Sequence, residues 1–175
     1  MAVLSELLKE GKHEELWQKC CGFIDLSLGD FMKIQRRLLW EQLELLKRCK
    51  LGHYLLNGAD PTNVEEFRKQ VPLTTYEDYA PYLLAKRDDV LPGKPALWQY
   101  TSGKSGVYPF RWAPVTAEQL DEIEPLIFAL LLFAGCSQRK EIILNEHDKF
   151  LYGMAPPPYA PGTMARVFPQ KLFDC

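Results

Sequence analysis

Between Asp30 and Cys49, the residues Phe31, Ile34, Leu38, Leu39, Leu45 and Leu46 recur at helical spacing and form one broad apolar stripe, while Arg37 and Glu41 lie four apart on the other side. This is the clearest helix that the chain predicts. A shorter one is predicted over Glu14 to Cys21, after which Gly52, Asn57-Gly58 and Pro61 break the pattern. Thr62 with Glu65 has the spacing of a capping box and predicts a helix through Gln70 that must end before Pro72. Thr75 with Asp78 predicts another, to about Lys86. Its Tyr76, Tyr79 and Tyr82 recur every three residues, a spacing that marks packing more often than chemistry. Residues 1–90 thus read as a helical N-terminal region.

The texture changes over residues 91–175. Pro92-Gly93-Lys94-Pro95 is a turn-rich bridge into Ala96–Tyr100, which reads as a strand, and a second strand is expected over Phe110–Val115. Thr116 with Gln119 caps a helix running to about Ala134, which Pro125 is expected to kink or divide and Gly135 to stop. Glu141–Leu144 and Phe150–Tyr152 read as further strands, with Ile142, Ile143 and Leu144 resembling a buried strand that needs neighbours on both sides. Pro156-Pro157-Pro158 predicts a short, stiff, extended stretch. The expected fold class is α/β, helical first and strand-rich later.

Composition narrows the function more than the fold. A 175-residue chain with 47% hydrophobic and 25% charged residues is an ordinary globular sequence, enough for about one domain with a real core. Its 21 Lys and Arg against 23 Asp and Glu leave a net charge of −2 without basic blocks, which gives no reason to expect nucleic acid or an anionic membrane as partner. The start lacks the basic and apolar regions of a secretory signal, and the longest apolar run, Leu126–Ala134, is far short of the ~20 residues a bilayer requires. A soluble, cytoplasmic protein is expected. Its five cysteines, Cys20, Cys21, Cys49, Cys136 and Cys175, contain no C-x-x-C pair and read as reduced, mostly buried thiols. His13, His53 and His147 lack metal spacing and read as surface or capping residues, so no metal ligand is assigned. Asp121, Glu122 and Glu124 read as a solvated helix face, and Asp88-Asp89 as a turn.

One segment asks for a chemical account. Thr101-Ser102-Gly103-Lys104-Ser105-Gly106 combines two glycines that allow close backbone approach, three hydroxyls and one positive charge. Composition alone divides evenly between an anion cradle and an exposed hairpin turn. It is not a Walker A loop, because position 98, where that motif needs glycine, is Trp98. The flanks shift the balance. Tyr100 to Thr116, with Arg111 in the middle and Pro114-Val115-Thr116 at the end, resembles the first ATP-binding signature of the acyl-adenylate-forming superfamily. The resemblance is closest to phenylacetate-CoA-ligase-like enzymes and the auxin-responsive acyl-acid amido synthetase family. Phe67 to Tyr82 is similar to the helix, Val-Pro-Leu and second helix that precede the loop in those enzymes, and the likeness covers roughly residues 30–170. Lys104 stands where the family usually has Thr. The family's usual Lys is matched by Arg111, with about one extra residue between it and the loop.

The resemblance implies an ATP- and Mg²⁺-dependent ligase that activates a small carboxylic acid, the carboxylate attacking the α-phosphorus before the acyl group passes to CoA or an amine. Thr101, Ser102, Lys104 and Ser105 would donate to the β- and γ-phosphates, Gly103 and Gly106 would permit close approach, and Arg111 would add a second positive group. Ala155–Gly162 would wall the acid pocket. The family's later signatures would all lie beyond Cys175, so the chain is expected to be an N-terminal portion, inactive alone, and either self-associating or dependent on a missing C-terminal segment. The competing reading is a non-catalytic helical interaction module that keeps the loop as a relic.

Overall fold

A computed structural model describes residues 3–101, 107–145, 147–149, 151 and 153–167. In chain order the elements are α1 (Val3–Lys9), α2 (His13–Cys21), α3 (Leu28–Leu46), α4 (Lys50–Leu56), α5 (Val64–Gln70), α6 (Tyr76–Leu84), β1 (Leu97–Thr101), β2 (Arg111–Val115), α7 (Ala117–Gly135) and α8 (Ala160–Val167). This is a mixed α/β chain, mostly helical, with a two-stranded antiparallel sheet. Contacts divide it into two compact units, one of residues 1–26 with 117–175 and one of residues 27–116. No helix among the described residues is long and apolar enough to cross a membrane.

The first unit is built on an aliphatic and aromatic core. Leu4, Leu7 and Leu8 from α1, Leu16, Trp17, Cys20 and Cys21 from α2, and Phe128, Ala129 and Leu132 from α7 are all buried together. Each helix contributes positions three and four apart, the spacing that puts residues on one face. Trp17 also meets Phe133 edge-on at 5.8 Å between ring centroids, an arrangement that aromatic quadrupoles favour. α7 runs unbroken through Pro125 and stops at Gly135, where an added Cβ would come within 2.8 Å of Ile143. The same spacing corrects the expectation for Glu124: four residues before Phe128, it lies on the buried face at 3% exposure, while Asp121 and Glu122 remain in solvent.

Glu141–Leu144 is not a strand. The segment keeps the alternation of one, since Ile142 and Leu144 pack against the core while Ile143 is exposed. Local hydrogen bonds take two of the backbone groups that a ladder would use: the Glu141 N–H donates to the Gln138 carbonyl, and the Asn145 side chain donates to the Ile143 carbonyl. Leu151 is exposed and outside any strand; Phe150 and Tyr152 lie outside the described residues. The triple proline is a turn rather than an extended stretch, closed by the Tyr159 N–H donating to the Pro156 carbonyl at 3.1 Å and leading into α8.

The second unit relies on caps and rings. α3 begins one residue after Ser27, whose hydroxyl accepts from the Asp30 N–H, and Arg37 and Glu41 make the expected pair at 2.6 Å. α4 is capped by the Cys49 sulfur, which accepts from the Gly52 N–H at 3.2 Å. α4 crosses the end of α3 so closely that a Cβ on Gly52 would lie 1.9 Å from the Leu46 carbonyl oxygen. The cap of α5 is shifted by one from the expected box: Asn63 accepts from the Glu66 N–H, and the Glu66 carboxylate takes both the N–H and the hydroxyl of Thr62. His53 caps the end of α3 by bonding the Lys47 carbonyl, and Asp88–Val90 form one 3₁₀ turn. Cys49, Leu51 and Val90 are buried here, with Tyr79 and Tyr82 packed against them, so the tyrosine spacing does mark packing for those two.

Candidate functional site

β1 and β2 form a hairpin in the second unit, with the register Leu97↔Val115, Trp98↔Pro114, Gln99↔Ala113, Tyr100↔Trp112 and Thr101↔Arg111. Aromatic and β-branched residues, Trp98, Tyr100 and Thr101 on one strand and Trp112 and Val115 on the other, favour the pairing, and Pro114 is tolerated because every strand of a two-stranded sheet has a free edge. The expected strands therefore form and flank the small-residue segment, β2 starting at Arg111 rather than at Phe110. Thr101 and Arg111 are cross-strand partners. Directly opposed antiparallel residues project from the same face, so the first hydroxyl of the segment and its following cation are brought side by side. Ser102, Gly103, Lys104, Ser105 and Gly106 lie outside the described residues.

The hairpin is held by α6 at both ends of that helix. At the start, the Asp78 carboxylate accepts from the Thr75 N–H at 2.6 Å and from the Thr75 hydroxyl at 3.3 Å, which fixes where α6 begins and so places Tyr76. The Tyr76 hydroxyl donates to the Trp112 carbonyl at 3.3 Å. Its ring faces the Arg111 guanidinium, whose carbon is 5.5 Å from the ring centroid, and meets Tyr79 and Tyr108 edge-on at 5.4 and 5.6 Å. Burial pushes the Tyr76 hydroxyl above the ordinary tyrosine pKa, opposed by the charge of Arg111. Beyond the end of α6, Lys86 places its ammonium 3.5 Å from the centre of the Trp112 ring, which also packs edge-on against Tyr100 at 4.8 Å. Lys86 reaches this position from a left-handed backbone conformation, φ +49°.

Arg111 is half-buried, with its Nε shielded from solvent. A guanidinium held this way is a pre-oriented cation, and an exposed threonine hydroxyl stands opposite it. A guanidinium beside a hydroxyl is a donor set of the kind that recognises phosphate oxygens. Among the described residues no group of three or more His, Cys, Asp or Glu is placed to hold a metal ion. Tyr76 and Lys86 escaped the sequence reading. The capping box before Tyr76 announced a helix start, yet nothing in it points to an arginine 35 residues later. The Ala155–Gly162 segment contributes a turn and the first residues of α8, where a Cβ on Gly162 would meet the Ala155 carbonyl at 2.1 Å.

Of the five cysteines, Cys20, Cys21 and Cys49 are buried free thiols and Cys136 is half-buried and free. Burial, and then the neighbouring Cys21 and Glu124, push the Cys20 thiol up to about 12, against the opposing charge of Lys19. Cys20 and Cys21 are packing groups of the first unit's core. Cys175 lies outside the described residues.

Compared with known proteins, residues 20–159 match the family model described as the GH3 family N-terminal domain. No curated protein and no solved structure matches the chain.

Proposed function

The chain belongs to the GH3 family, the family that includes auxin-responsive acyl-acid amido synthetases, and on that footing we propose that it serves as the N-terminal part of an ATP-dependent ligase that activates a small carboxylic acid as its adenylate. Family membership favours an amine over CoA as the acyl acceptor. The observation that carries the reading of the site is the register of the hairpin, which sets Thr101 opposite Arg111 across the segment of residues 102–110. Arg111 grips phosphate oxygens through its paired N–H groups, and Thr101 donates its hydroxyl beside them. Ser102, Lys104 and Ser105 add donors, while Gly103 and Gly106 let the main chain approach the β- and γ-phosphates. ATP, with Mg²⁺ carried on its phosphates, supplies the leaving pyrophosphate that makes acid activation favourable. The part of this chain is to bind and orient that triphosphate and to offset its charge.

Calorimetric titration of the full chain with ATP·Mg²⁺ tests this. Saturable binding is expected, weakened about tenfold or more by Lys104→Ala or Arg111→Ala, as befits loss of a charged hydrogen-bond donor. A double variant that binds ATP as the wild type does would refute the assignment.

A further inference from the structure

We propose that α3 is a self-association surface, pairing side by side and in parallel with α3 of a second copy of this chain. Along this helix Leu28, Phe31, Gln35, Leu38, Gln42 and Leu45 follow one another at alternating spacings of three and four residues, the seam of a two-stranded coiled coil. All six are exposed, the four apolar ones by 38–77%. The helix meets its own unit through other positions: Leu43 is buried, and Leu46 packs against the cluster of Cys49, Leu51 and Val90. The apolar stripe that announces α3 in the sequence is therefore only partly used by the fold. Apolar residues scattered singly over a surface need no explanation, whereas a row of them aligned along one helix marks a contact.

The charges and amides of α3 select the occupant. Asp30, Lys33, Arg36, Arg37 and Glu44 all fall on positions away from the seam, and the one charge beside it, Glu41, is paired with Arg37 at 2.6 Å. A strip cleared of charge has the composition of an interface core. Gln35 and Gln42 then decide what lies opposite, because a buried amide has to donate and to accept. An in-register parallel copy sets Gln35 against Gln35 and Gln42 against Gln42, so each amide meets one that answers both needs, while leucine meets leucine and Phe31 meets Phe31. An antiparallel copy with Leu28 against Leu45 would set Gln35 against Leu38 and Gln42 against Phe31, burying the amides on carbon. A wholly apolar partner would do the same. Polar seam residues of this kind fix register and orientation at a cost in stability. With about two and a half heptads, the interface belongs at the small end, below about 1,200 Å², where association is weak.

Analytical ultracentrifugation of the full chain across the micromolar range tests this, with thermal melting at the lowest concentration as the control for folding. The wild type is expected to show a monomer–dimer equilibrium in that range. Leu38→Glu sets two carboxylates into the seam and should weaken dimerisation by about tenfold or more, leaving the melting point unchanged because Leu38 is exposed in the single chain. Gln35→Glu and Gln35→Lys should each lose the dimer in the same way. An equimolar mixture of those two should dimerise at least as well as the wild type, since glutamate then faces lysine across the parallel seam. Dimers that survive Leu38→Glu or either Gln35 variant, or Gln35 variants that do not recover on mixing, would overturn the parallel pairing of α3. So would a wild type that stays monomeric. In that case a melting point lowered by Leu38→Glu would assign the strip to another segment of the same chain, and an unchanged one would assign it to a different protein.

Discussion

The two units of the molecule are stabilised in different ways. In the first, three helices bury leucines, Trp17 and Phe128 in one cluster, and Leu16, Trp17, Cys21 and Phe128 reach zero exposure. The buried cluster around Cys49, Leu51 and Val90 in the second is smaller; ring pairs, side-chain caps and a glycine crossing carry much of the rest. The difference has a chemical logic. A dry aliphatic core is a good foundation and a poor place for charge, because desolvating a charge costs several kcal/mol. An aromatic ring attracts cations over its face, and in this unit Tyr76 and Trp112 take Arg111 and Lys86 in that way. The candidate site lies in the unit of that second kind.

The contrast can be broken most severely at Trp17. Trp17→Ala removes a fully buried ring from the helical core and should cost about 3–5 kcal/mol in urea denaturation. A loss below about 1 kcal/mol would mean that the first unit does not depend on that cluster. In the second unit, Gly52→Ala forces a methyl to within 1.9 Å of the Leu46 carbonyl, so α4 must move off α3 at a cost of about 1–3 kcal/mol. The same denaturation series reads it. A Gly52→Ala variant as stable as the wild type would show that the close crossing is not required.

The smallest effect at neutral pH concerns Cys20. Its thiol has an ordinary pKa of 9.0 and is pushed up to about 12 in the folded chain, principally by burial. The folded pKa lies above the unfolded one, so the stabilisation is fully present below about pH 9 and is lost as pH rises through 12. Cys20→Ala removes that titration and should flatten the alkaline limb of the stability profile relative to wild type. Parallel alkaline limbs for the two proteins would show that the thiol does not contribute.

Much of the local structure was legible in the residues. The Thr75–Asp78 box opens α6 where its spacing says, the apolar stripe after Asp30 is α3, and the two β-patterned segments pair with each other. These are short-range features, in which propensity, capping and alternation all favour the same outcome. The misreadings share one cause. Glu141–Leu144 has the alternation of a strand, and Ile142 and Leu144 do face a core, yet a strand also needs a partner, and local hydrogen bonds take the Glu141 N–H and the Ile143 carbonyl. Glu124 looks solvated beside Asp121 and Glu122 until the helix brings it in register with Phe128. The cap of α5 slid by one because Asn63 competes with Thr62 for the same helix start.

The sequence by itself determined which segments could be helix or strand, that the loop carries hydroxyls, glycines and a cation, and that Arg111 follows it at a readable spacing. Periodicity and composition act over a few residues, and so does the information they carry. Only the tertiary structure decided that α7 packs with α1 and α2, that Thr101 and Arg111 stand opposite each other, and that Tyr76 and Lys86 reach the hairpin from the two ends of α6. Those pairings join residues ten to more than a hundred positions apart. Which distant partners meet depends on the burial, hydrogen bonding and loop closure of the whole chain together, a balance that no single segment records.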